Sequence, residues 1–318
     1  MPANGTSNST GSDWEQQQRE LKEKILRLKS ERNAVILAHS YQRREVQEVA
    51  DLVGDSFQLA RAAQDTDADV IVLSGVSFMA ETAKLLNPDK VVLHPEPGAT
   101  CPMAEMADAE AVRAYRGQHP DTLVVSYVNT LAEVKAESDI CCTSANAQQV
   151  VESLEPGRPV IFLPDRNLGD YLNQKVGIDM RLWDGYCPIH QRLTAEEITE
   201  ARRLHPGAEV LVHPECEPEV IRRADRALGT TGMVKYIASS PNREFIIGTE
   251  EGLLYKLRRE FPDRVFHLAA GHLICPNMKS INLKKILDCL ENLEPRVELP
   301  EEVFEKARRS LIRMMEIV

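Results

Sequence analysis

The sequence predicts an α/β protein of three pseudo-threefold-related, three-layer αβα domains, each built on a small parallel sheet, with the active site at their common centre. Three observations predict it. Short β-branched runs alternate with helical segments. The alternation is written three times at one period. Each copy closes on a Cys-Pro pair.

The first strand of each copy reads Val35-Ile36-Leu37-Ala38-His39, Leu123-Val124-Val125-Ser126-Tyr127 and Val210-Leu211-Val212-His213. These runs end at 39, 127 and 213, so the period is 88 and then 86 residues. The register persists downstream at Ala50-Asp51-Leu52, Ser138-Asp139-Ile140 and Ala224-Asp225-Arg226. A small hydroxyl residue follows each: Ser56, Ser144, Thr230. A second strand comes next, over Val70–Leu73, Val160–Leu163 and Phe245–Ile247. The closing pairs are Cys101-Pro102, Cys187-Pro188 and Cys275-Pro276. Between the strands, Phe57–Ala63, Phe78–Leu86 and Glu196–Leu204 carry apolar residues at the 3.6 period of a helix.

The polar stretch 1–13, rich in Ser, Asn, Gly and Thr, reads as a disordered tail. Trp14 to Arg32 reads as a leading helix. Pro300 suits the first turn of a closing helix over 300–318. The expected units are 14–118 with helix 300–318 packing back onto it, 119–204, and 205–299. The breaks fall at the turn sequences His119-Pro120-Asp121 and His205-Pro206-Gly207.

The 318 residues are 43% hydrophobic and 27% charged, enough for a large core. A net charge of −11 speaks against a nucleic-acid partner or an anionic membrane. No apolar run approaches the ~20 residues a membrane span needs. The N-terminus has neither the basic nor the apolar region of a signal peptide, so a cytoplasmic protein is expected. Seven cysteines, an odd number, then suggest reduced thiols used for metal, catalysis or packing rather than a disulfide framework.

Ligands collect at the carboxyl ends of parallel strands. Three sheets facing one centre would each donate the same positions to it. The first such set is Cys101, Cys187 and Cys275, each before Pro and soon after Gly98, Gly185 or Gly271. Three thiolates make a soft metal site, and a cube of four irons held by three leaves one iron open to act as a Lewis acid. Three buried structural thiols remain the plain alternative for any one of them. Cys141 and Cys289 read as packing, while the roles of Cys142 and Cys216 stay open.

The second set follows the first strands: His39 and Tyr41, Tyr127 and Asn129, His213 and Glu215. These side chains transfer protons and hydrogen-bond carboxylates. The third set is Ser56, Ser144 and Thr230, each before a helical segment. A hydroxyl there serves as an N-cap, as part of an anion site, or as both.

Together these segments resemble the quinolinate synthase family over roughly residues 33–291. The resemblance rests on AHSYQ ending at Gln42, GDS at 54–56, YVNT at 127–130, DICCTSANA at 139–147, PDRNLG at 164–169, HPEC at 213–216, GTTGM at 229–233 and CPNM at 275–278. It implies a triangle of three homologous α/β domains. It implies a [4Fe–4S] cluster on Cys101, Cys187 and Cys275, whose open iron assists dehydration. The implied reaction condenses iminoaspartate with dihydroxyacetone phosphate to quinolinate, phosphate and two waters in NAD biosynthesis. Functional coupling to an iminoaspartate-producing enzyme is a further implication. His39, Ser56, Tyr127, Asn129, Ser144, His213, Glu215 and Thr230 would touch substrate. Glu215 would transfer protons, with Tyr41 and His39 acting on the triose and His213 also catalytic. The Cys-x-x-Cys-x-x-Cys pattern of some members is absent, since Cys275 has no nearby partner. A hydro-lyase for another hydroxy acid, a cluster-bearing sensor and a three-thiolate zinc site are the rival readings.

Overall fold

The computed structural model describes residues 9–317. Among these residues, twelve strands form three sheets. The first sheet holds β1 (Ala34–His39), β2 (Leu52–Gly54), β3 (Val70–Ser74) and β4 (Val91–Leu93). The second holds β5 (Leu123–Tyr127), β6 (Ile140–Cys142), β7 (Val160–Leu163) and β8 (Arg181–Leu182). The third holds β9 (Glu209–Val212), β10 (Arg226–Ala227), β11 (Glu244–Gly248) and β12 (Val265–Leu268). The orders are β2-β1-β3-β4, β6-β5-β7-β8 and β10-β9-β11-β12, one topology three times over, and every pairing between these strands is parallel.

The layers follow from side-chain alternation along the central strands. In β1, Leu37 enters one core while Ile36 and Ala38 enter the opposite one. In β5, Val125 and Tyr127 face one way and Val124 the other. In β9, Leu211 separates from Val210 and Val212 in the same manner. Each sheet is therefore buried on both faces, as parallel sheets require. The repeated aspartates have a structural task. The carboxylates of Asp51, Asp139 and Asp225 accept the backbone N–H groups of Ile36, Val124 and Val210, each at 2.8 Å. Each fastens the turn before an edge strand to the strand beside it.

Three expectations need correction. Of the expected tail 1–13, residues 1–8 lie outside the described residues, and from Ser9 the chain is helical to Glu31. Small polar residues suit a helix start as well as a tail. Helix Leu283–Asn292, expected in the third unit, packs with helix Ser9–Glu31 on the outer face of the first sheet. Cys289 is buried there. The closing helix Glu301–Glu316 does not simply return to the first unit. It lies across the seam, against helix Ala132–Ala136 and β6 of the second copy and helix Ser77–Leu86 of the first. Ala307, Leu311, Met314 and Met315 are buried there, and Ser310 Oγ donates to the carbonyl of Lys135 at 2.9 Å. An apolar stripe specifies that a face is covered, not which neighbour covers it.

Candidate active site

The carboxyl ends of the central strands meet around a cavity of about 240 Å³. His39, Tyr41, Tyr127, Asn129, His213 and Glu215 all line it. So do Ser56, Ser144 and Thr230, and so do Cys101, Cys187 and Cys275. All twelve candidate side chains are thus brought together. Cys142 and Cys216 do not line it. Both are fully buried in apolar cores, and Cys216 Sγ points at the carbonyl of Gly248, 3.8 Å away.

The three thiols share one local design. Cys101 and Cys275 each precede a one-turn helix opened by proline, Pro102–Glu105 and Pro276–Lys279. Backbone N–H groups two or three residues on face the sulfurs: Ala104 and Met103 at Cys101, His190 at Cys187, Met278 and Asn277 at Cys275. Burial nevertheless dominates, pushing Cys101 up to about 12 and raising the other two thiols as well. Without a metal all three are protonated, and ligation must displace their protons.

Glu215 is the polar centre of the cavity, with 3% of its surface exposed. Tyr127 Oη donates to its Oε1 at 2.7 Å, and His190 Nδ1 lies 2.7 Å from its Oε2. His190 Nδ1 is also 3.2 Å from Cys187 Sγ, and its Nε2 is 2.8 Å from Thr249 Oγ1. Tyr41 Oη joins the chain at 2.6 Å from Thr249 Oγ1 and 3.1 Å from Thr230 Oγ1. The network therefore runs from Tyr127 through Glu215, His190 and Thr249 to Tyr41, crossing all three copies.

The hydroxyls are not the helix caps expected for them. Asp55 caps helix Ser56–Asp65 in a capping box with Gln58, and Gly229 holds the cap position of helix Thr230–Ser239. Asn146 precedes helix Ala147–Glu152 and accepts from the N–H and hydroxyl of Thr143. Ser56 and Thr230 are first helical residues, and both line the cavity.

Known proteins resemble this chain over most of its length. The sequence model of the family described as Quinolinate synthetase A protein matches residues 23–316. The chain is 52% identical over 297 residues to the quinolinate synthase of Geobacter metallireducens, covering 93% of this chain and 97% of that one. It is 51% identical over 295 residues to that of Methanoregula boonei, covering 93% and 97%. With that of Desulforudis audaxviator it shares 50% over 296 residues, covering 93% and 98%.

The chain belongs to the quinolinate synthetase A family. It is therefore an enzyme. In this member of the family, sequence reasoning missed His190, Thr249, Glu250 and Asp165. All but His190 sit at the ends of the second central strands, β7 and β11, whereas the sequence reading followed only the first. The signal for His190 was its place three residues after Cys187, in the short 3-10 turn His190–Arg192. Glu250 accepts the N–H of Cys275 at 3.0 Å and pairs with Lys279 at 3.0 Å. Asp165 is fully buried and caps helix Arg166–Val176 through Leu168 N–H at 2.8 Å. Burial and the charge of Glu215 push its carboxyl well up.

One backbone approach fixes Tyr41. A Cβ on Gly252 would lie 2.7 Å from the carbonyl carbon and oxygen of Tyr41. Backbone cannot yield as a flexible side chain does. Gly252→Ala should displace Tyr41 and lower turnover, by up to ~10²-fold for a shift near 1 Å. Steady-state kinetics read this, and Gly117→Ala, with nothing within 4 Å of the added carbon, is the control.

The buried histidines should make this fold acid-sensitive. Burial pushes His39 from 6.5 down to about 3 against the pull of Glu215, and pushes His213 down to about 4. Unfolding lets both rings take up protons below pH 6.5 that the folded chain refuses until pH 4 or lower. Stability should fall as pH drops from about 6.5 toward 4. Burial raises Glu215, but His213, His190 and Tyr127 outweigh it and hold its carboxyl well below the usual range. Its contribution is lost at still lower pH, in the same direction. Denaturant unfolding against pH should show this slope, and His213→Asn should flatten it.

Proposed function

We propose that this enzyme is a quinolinate synthase of NAD biosynthesis, condensing iminoaspartate (iminosuccinate) with dihydroxyacetone phosphate to quinolinate, phosphate and two waters. The observation that carries the reading is the buried carboxylate of Glu215 in a cavity onto which three thiols and three hydroxyls converge. The half-identity to proteins named quinolinate synthase, over 93% of the chain, supports it.

The donor set fits a [4Fe–4S] cluster. Three soft thiols reach one cavity, backbone N–H groups stand ready for each sulfur, and the four other cysteines lie outside it. Cys101, Cys187 and Cys275 would hold the cluster, which when bound supplies a Lewis-acidic iron for dehydration.

The chain's own groups supply the rest. Ser56, Ser144 and Thr230, with Asn129 and the N–H groups at the helix starts, bind the carboxylates and the phosphate. Tyr41 and Tyr127 stay protonated, since burial and the charge of Glu215 push both phenols well up, and so act as donors. His39 and His213 are neutral; each Nδ1 accepts a backbone N–H, from Tyr41 at 3.1 Å and from Glu215 at 3.3 Å, which leaves each Nε2 an N–H donor to substrate oxygens. With Tyr41, His39 acts on the triose carbonyl. Glu215 moves the proton on carbon. Arrival of anionic substrates beside it raises its pKa toward the working range of a general base. Exclusion of water from the small cavity protects an imine, which water hydrolyses. The same lability favours coupling to the enzyme that supplies iminoaspartate. Seven free cysteines suit a reducing cytoplasm, and among the described residues no helix is long and apolar enough to cross a membrane.

The test is a product assay on anaerobically purified, cluster-loaded protein. Quinolinate should form only when iminoaspartate and dihydroxyacetone phosphate are both present. Dehydration of a hydroxy acid with no need for the triose would instead make the protein a hydro-lyase.

A further inference from the structure

We propose that His205, Glu244 and His267 form a separate metal site, remote from the cavity, that takes one divalent first-row ion of the zinc kind. The three come from different elements packed around the third sheet. His205 ends helix Ala195–Leu204, Glu244 opens β11, and His267 lies on the edge strand β12. One donor atom from each lies within 4.8 Å of the other two. None of the three lines the catalytic cavity.

The arrangement is short of positive charge. His267 Nε2 stands 2.9 Å and His205 Nδ1 3.7 Å from the same oxygen, Glu244 Oε1. Among the described residues, no lysine or arginine is within ion-pair distance of Glu244. The two rings stack with centroids 3.4 Å apart and planes at 16°. Protonating both to balance the carboxylate would set two like charges face to face. A dication satisfies all three groups as lone-pair donors, with both imidazoles neutral.

The distances suit zinc. With Zn–N and Zn–O bonds of about 2.0–2.2 Å, neighbouring donors in a tetrahedron stand about 3.4 Å apart. The observed 2.9 and 3.7 Å bracket that separation. Nearly parallel rings cannot both aim a lone pair at one ion, so binding must turn one imidazole about its Cβ–Cγ bond. The side chains are 31% and 24% exposed, which leaves room for that rotation and for a water as fourth ligand. A bound ion would clip the end of helix Ala195–Leu204 to the outer edge of the third sheet.

The test uses untagged, cluster-loaded protein titrated anaerobically with Zn²⁺ in a calorimeter. One equivalent per chain should bind. Affinity should fall in His205→Ala and in His267→Ala by more than the ~10-fold that loss of even an outer partner causes. Both variants should keep their iron, sulfide and turnover, because neither side chain reaches the cavity. Crystals soaked in Zn²⁺ should show anomalous scattering between the three side chains. No binding, equal binding by both variants, or an anomalous peak only elsewhere overturns the proposal.

Discussion

Glu215→Gln should leave the iron and sulfide content unchanged and lower turnover by ~10²–10⁴-fold, the usual contribution of a general acid or base. The amide is almost isosteric, and its oxygen can still accept from Tyr127 Oη, now 2.7 Å from Oε1. What disappears is the charge and the ability to take a proton. The amide nitrogen would also face His190 Nδ1, where Oε2 stands at 2.7 Å, so that ring must present a lone pair instead of an N–H. The network through Thr249 to Tyr41 then inverts its donor sense. Turnover assays on the same preparation used for iron analysis separate chemistry from assembly. Near-normal turnover would shift proton transfer to Tyr41 or His213, which share the cavity.

Much of this site was legible because the chain repeats it. An isolated Cys-Pro or a histidine after a strand carries little information, but parallel strands send their carboxyl ends to one side, so equal register means equal place. That logic put Cys101, Cys187 and Cys275 in one cavity with the residues after β1, β5 and β9. It failed where symmetry breaks. Position Glu215 is answered by Tyr41 and Asn129 in the other copies, and only contact in three dimensions shows that His190 completes its hydrogen bonding. Cap assignments failed for a local reason. Asp55 and Gly229 stand immediately before Ser56 and Thr230 and take the cap themselves. The docking of helix Glu301–Glu316 across the seam depends on long-range packing, which periodicity does not encode.

Cys187→Ser should abolish the cluster and the activity together. A serine oxygen is harder and sits closer to its Cβ than sulfur, so it neither matches iron's preference for thiolate nor reaches as far. Cys187 is also the most entangled of the three thiols. Its sulfur lies 3.2 Å from His190 Nδ1, and burial followed by the charge of Glu215 holds its thiol well above its usual range. Metal binding must overcome that cost, so the loss of one soft ligand leaves two protonated thiols with little reason to ionise. Cys101→Ser and Cys275→Ser should behave alike, because each occupies the same turn before proline. Cys289→Ser should do neither: its side chain is buried between the outer helices of the first copy, away from the cavity. Iron and sulfide analysis with absorption spectroscopy under anaerobic conditions reads the outcome. A full complement of iron and sulfide in Cys187→Ser would remove it from the ligand set. Mössbauer spectra of the iron-57 wild-type protein offer a second check, since three cysteines leave one iron site unlike the other three. Four equivalent thiolate-bound irons would mean that a fourth cysteine closes the cluster, and the dehydration chemistry proposed for the open site would fall with it.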